Sequence, residues 1–194
     1  MMDLPLQLIV FSIPSLIYVT VRRLGGERWN EVFRKLGWQG SRVSYFLWGL
    51  GVMIIVGGLG WLVFRAVPSE VLQDPNINIS DYTGWTLSVT SFFLVWLREA
   101  IYVALGEEIF FRGFLGGWLV RRFGFTIGNT VQTSVFLLPH LPLLFISQSL
   151  WPFFILALIA GWLLGWLRYR SNSILPGWLA HSLSNAFGAL AVMR

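Results

Sequence analysis

The chain has 194 residues, 56% of them hydrophobic and only 12% charged, with a mean hydropathy of +0.68. Soluble domains carry about 25% charged residues, so a soluble globular domain is excluded; eleven Trp and sixteen Phe suit helices anchored at a lipid interface. The net charge of +5 does not point to nucleic acid, because the basic residues form no patch with aromatic platforms but sit in short connections between apolar runs.

Leu4 to Val21 is an apolar run long enough to span a bilayer. Asp3 is the only charge before it and no small-residue cleavage site follows, so it reads as a retained span with Pro14 as a kink, not as a signal peptide. Arg22 to Arg42 is a polar, mostly basic connection. Tyr45 to Val67 is the second span, and its glycines (Gly49, Gly51, Gly57, Gly58, Gly60) permit close helix contact. Pro68 to Gly84 follows as an acidic loop. Trp85 to Val120 has no proline and as one helix would measure about 54 Å, well beyond the ~30 Å hydrocarbon thickness. The favoured placement puts Glu99 to Val120 in the membrane, with Arg98 and Glu99 interfacial and Trp85 to Leu97 as an outer half-helix. Ile127 to Ile146 is the fourth span, broken by Pro139 and Pro142. Trp151 to Leu167 is the fifth, with Gly161 and Gly165 as a packing face, and Ile174 to Met193 is the sixth.

The expected fold is therefore all-α, a polytopic transmembrane bundle of about six spans in one domain, residues 1–194. Lys and Arg alternate between connections as the positive-inside rule requires. The rule places the amino terminus outside and the Arg22–Arg42 connection, Arg121/Arg122 and Arg168/Arg170 inside.

The polar residues within these spans carry the chemistry. A charge at the centre of a membrane helix costs roughly 2.5–3.5 kcal/mol, so Glu107, Glu108 and Arg112 must be paired or face a polar cavity. Glu108 and Arg112 are four apart and share a helix face, while Glu107 points about 100° away. The simplest division of labour has Glu108 and Arg112 neutralise each other and leaves Glu107 free. The chain's two histidines, His140 and His181, also fall within spans, and Asn185 lies one turn beyond His181. Glu107 and His140 come to similar depths of roughly 20 Å from the inner end, with His181 shallower at roughly 10 Å. A partly buried glutamate suits a general base, an imidazole can orient the attacking water, and amide and imidazole N–H groups can hold an oxyanion. Ser134 and Ser182 lie near the histidines, but no Ser–His–acid spacing accompanies them. The absence of Cys removes a thiol nucleophile and thiolate metal sites.

Glu107-Glu108-x-x-x-Arg112, Phe136-x-x-x-His140 and His181-x-x-x-Asn185 resemble, in order, the three signature motifs of the CAAX-protease and bacteriocin-processing family (CPBP, also called Abi). That family includes the type II CAAX prenyl endopeptidases. The resemblance covers roughly Ala100 to Ala189 and implies an intramembrane endopeptidase. It implies Glu107 as the water-activating base with His140 as its partner, and His181 with Asn185 as the oxyanion hole. Glu108 and Arg112 would brace the site, and Phe136 would line its cavity. No HExxH motif is present, so the expected cofactor is none, with a divalent metal such as zinc as the alternative. The expected partners are membrane lipid and a peptide or protein substrate at the membrane surface, with no nucleic acid. The expected place is the plasma or inner membrane, with the site opening to the cytoplasm. Two other classes fit the same residues: a non-catalytic adaptor or immunity protein, and a small ion-coupled transporter. Neither inverted-repeat halves nor paired broken helices accompany the latter.

Overall fold

The computed structural model describes residues 5–194 and is helical throughout, with no β-strand among the described residues. The expected first span begins at Leu4, which with Asp3 lies outside the described residues. Helix α1 is Leu6–Leu24, α2 is Trp29–Leu36 and α3 is Val43–Ala66. Then come α4, Val89–Phe123, α5, Phe125–Ile146, α6, Gln148–Ser171, and α7, Leu175–Ala189. Five of these (α1, α3, α4, α5 and α6) are long and apolar enough to cross a membrane. The sixth expected span is the 15-residue α7. It is about 22 Å long, short of the hydrocarbon thickness, and it lies against α3, α4 and α6 inside the bundle.

Helix α4 departs most from expectation. It runs unbroken for 35 residues and contains two π-helical stretches, Glu99–Ala104 and Glu108–Gly116. Widened turns of this kind are rare and concentrate at functional sites. Glu99 is correspondingly not interfacial: it is 2% exposed and forms part of the interior.

Two connections that read as plain loops also carry structure. Within Arg22–Arg42, α2 places Trp29, Val32, Phe33 and Leu36 on one face, and Val32 and Leu36 are buried by it. The acidic segment Pro68–Gly84 folds back over the bundle. It buries Leu72, Ile77, Ile79 and Tyr82 against Val95, Leu150, Ala186 and Ala189.

Small residues set the helix spacing. Gly49, Gly57 and Gly60 of α3 face α7 and α6, whereas Gly51 and Gly58 face open space. Gly161 meets Thr133 and Phe136, and a Cβ on Gly165 would lie 1.8 Å from Asn129 Oδ1, so the expected packing face joins α6 to α5. The break expected at Pro139 and Pro142 is present: α5 is α-helical to Leu137, then passes through a 3₁₀ turn at Leu138–His140.

Candidate active site

The second π-helical stretch of α4 opens at Glu108, so Glu107 and Glu108 sit where the helix widens, facing α7. His181 of α7 lies across both: its Nδ1 is 3.0 Å from Glu108 Oε1 and its Nε2 is 3.6 Å from Glu107 Oε2. A carboxylate only accepts, so Nδ1 carries a proton and donates to Glu108. Glu108 also pairs with Arg112, whose Nη1 is 3.3 Å from the same Oε1, with both side chains fully buried. The expected division of labour is thus modified. Glu108 is shared between Arg112 and His181, and Glu107 has an imidazole beside it.

Phe136 joins the remaining groups. The Arg112 guanidinium sits 4.1 Å above its ring, the His140 ring is 4.8 Å away, and His181 stands edge-on at 6.4 Å. His140 Nδ1 lies 2.9 Å from the carbonyl of Phe136. A carbonyl accepts only, so Nδ1 donates, and Nε2 has no protein partner among the described residues. The helix break at the prolines keeps His140 half-buried at the cavity wall, where it shares the space with Glu107 without reaching ion-pair distance of it.

Asn185 donates from Nδ2 to Glu99 Oε2 at 3.1 Å. Glu99 is in turn gripped at Oε1 by Tyr82 Oη at 2.5 Å and Asn78 Nδ2 at 3.0 Å. Arg98 then donates to Tyr82 and pairs with Asp81. Burial, with the Glu99 carboxylate beside it, raises the Tyr82 phenol above its ordinary value, which keeps it the donor in this contact. Glu99 and Tyr82 are functional candidates that the sequence reading passed over. The available signal was a glutamate two turns before Glu107 in an apolar helix, which positions it on the same side.

Glu99, Glu107, Phe136, His140, His181 and Asn185 all line one cavity of about 340 Å³. All four residues expected to be catalytic therefore meet around a common space. The two serines do not: Ser134 bonds the Thr130 carbonyl on an exposed face, and Ser182 receives Trp96 Nε1. The cavity runs from His181 toward Phe64, Asn76, Leu150 and Gly188. That is the end of the bundle carrying the acidic segment.

A metal was the alternative cofactor. Among the described residues no three His, Asp or Glu side chains are grouped to hold an ion, and no step below passes through one.

Residues 89–187 match the family described as type II CAAX prenyl endopeptidase Rce1-like. The chain belongs to this family. Membership makes the protein a hydrolase of the CAAX-protease kind, integral to a membrane. The matched stretch begins with α4 and ends two residues after Asn185, so it contains Glu99 and every site residue expected from the sequence, while Tyr82 lies before it. No curated protein and no solved structure matches the chain.

Proposed function

We propose that this Rce1-like chain is an intramembrane endopeptidase that cleaves a membrane-associated peptide by glutamate-activated water, without a metal. The observation that carries the reading is the convergence of Glu107, His140, His181 and Asn185 on one buried cavity. Glu107 takes a proton from water while the oxygen attacks the scissile carbonyl carbon; the proton then passes to the leaving amine as the C–N bond breaks. His140 offers Nε2 as the acceptor that orients that water. The developing oxyanion receives the Asn185 N–H that Glu99 does not use, with His181 held beside it by Glu108. Glu108 and Arg112 hold His181 in place, and Glu99 fixes the Asn185 amide. The mixed lining of the cavity (polar at His181, apolar toward Phe64 and Phe153) suits an extended peptide with apolar side chains. Access is from the end that carries the acidic segment or sideways from lipid.

The test compares membranes containing wild type with membranes containing Glu107→Gln, reading cleaved peptides by proteomics. Loss of a general base lowers rate by about 10²–10⁴-fold, so a set of neo-termini should vanish while the variant stays folded and inserted. Retention of the same cleavage pattern would sink the reading. Metal analysis of the active protein should find less than one equivalent, and stoichiometric zinc that chelation removes together with activity would overturn the metal-free step.

A further inference from the structure

A second cavity, of about 530 Å³, lies at the basic end of the bundle and takes no part in the chemistry above. Five cationic side chains line it (Arg34, Lys35, Arg112, Arg121 and Arg168), and no carboxylate does. Lys35 is neutralised by Glu27 through Nζ at 2.6 Å, and Arg112 shares Glu108. Arg34, Arg121 and Arg168 have no acidic partner among the described residues. Arg121 and Arg168 instead both donate to the Lys35 carbonyl, at 2.9 and 3.3 Å.

Residues that merely fix topology sit in water; these do not all do so. Arg112 is 1% and Arg168 9% exposed. Arg112 Nε and Nη2, and Arg168 Nε, are buried without a hydrogen-bond partner, and Arg112 Nη1 has only its ion pair with Glu108. Buried guanidinium N–H groups left unmatched are costly, and an anion in the cavity they line would supply the missing acceptors. Gly116, Gly117 and Gly165 also line the cavity, where a Cβ would lie 2.7 Å from the Phe111 carbonyl, 3.0 Å from the Lys35 carbonyl and 1.8 Å from Asn129 Oδ1, so its walls are closely packed. Gly37 adopts φ +79° over Arg168, where a Cβ would lie 2.4 Å from Nε, so the end of α2 can close down on that arginine.

We propose that this cavity binds a phosphate-class anion at headgroup depth. Guanidinium groups arriving from α4 and α6 match the several oxygens of a phosphate better than a single carboxylate. Exposed Trp29, Trp38, Trp118 and Tyr169 on the elements around it mark the membrane interface, which is where lipid phosphates lie. The same chemistry is presented by an anionic phospholipid and by free phosphate.

The experiment follows thermal unfolding of the full chain in maltoside detergent through its tryptophans. The titrants are short-chain phosphatidylglycerol, short-chain phosphatidylcholine, inorganic phosphate, and chloride at matched ionic strength. A saturable rise in Tm is expected with phosphatidylglycerol, and none with chloride. A rise with inorganic phosphate as well assigns the site to small anions; a rise with phosphatidylglycerol alone assigns it to the lipid phosphodiester. Arg121→Gln, at an exposed position, should weaken the apparent affinity about tenfold. The proposal fails if neither phosphate nor phosphatidylglycerol acts beyond chloride, or if Arg121→Gln binds undiminished. The readout is binding alone, so it stands or falls apart from proteolysis.

Discussion

Two of the cavities among the described residues are linked through the Phe136 side chain. Phe136 lines one with Glu99, Glu107 and two histidines; the Arg112 guanidinium, resting on the ring, lines the other among cations. Helix α5 serves both, with Asn129 and Gln132 toward the basic side and Phe136 and His140 toward the acidic side. The difference lies in satisfaction. Every carboxylate lining the acidic cavity has a neighbour placed for it: His181 for Glu107, and Tyr82, Asn78 and Asn185 for Glu99. The basic cavity holds buried guanidinium nitrogens, Arg112 Nε and Nη2 and Arg168 Nε, that the fold leaves without an acceptor. A site whose partners are supplied by the fold is preorganised for chemistry, and a site whose partners are missing is organised for a ligand.

Arg112 is the residue on which this contrast breaks most easily. It lines the basic cavity, yet its ion pair belongs to the acidic one. Arg112→Met leaves Glu108 charged and buried without its cation, and should cost about 3–5 kcal/mol of stability, read as a fall in Tm in detergent. Adding Glu108→Gln should recover most of that loss. Additive losses in the double variant would show that the two side chains act separately.

A smaller effect isolates the basic side. Gly165→Ala drives a methyl to within 1.8 Å of the present position of Asn129 Oδ1, so α5 and α6 must part or Asn129 must leave Trp162. Overpacking of this kind costs about 1–3 kcal/mol. Thermal unfolding should show it, with the cleavage pattern retained because Asn129 does not line the acidic cavity.

The finest test lies within the acidic cavity. Glu99 touches Asn185 and not the reacting atoms, so it is a positioning residue. Glu99→Gln should lower kcat about tenfold with KM little changed, close to 1.4 kcal/mol of transition-state stabilisation. Combined with Asn185→Ala it should add almost nothing. Independent losses in that cycle would make Glu99 structural.

Much of this was legible in the sequence because membrane physics leaves few choices. Apolar runs of bilayer length can only be helices, and charges inside them must converge on something polar. Glu107, Glu108, Arg112, His140, His181 and Asn185 stand out for that reason, and the structure brings them around one ring and one cavity. Glu99 was misplaced at the interface because length alone set where α4 enters the membrane, and nothing in the local sequence reveals that Tyr82 and Asn78 fold back to meet it. The acidic segment reads as a loop since its apolar residues, Leu72, Ile77, Ile79 and Tyr82, show neither helical nor strand period. Helix α2 did carry a signal, with its apolar residues at helical spacing, but eight residues among many charges are easily passed over.

What the sequence by itself determined is the helical membrane class, the identity of the polar residues and the need for each to find a partner. Those follow from the cost of leaving charge or backbone unsatisfied in hydrocarbon, a cost that acts residue by residue. Only the tertiary structure decided which partner each one took. His181 lies between two glutamates, Asn185 is held by Glu99, and the arginines gather behind Phe136, because such pairings depend on helix rotation, on two π-helical turns and on a returning loop. Those are set by packing across the whole bundle and have no counterpart in local spacing.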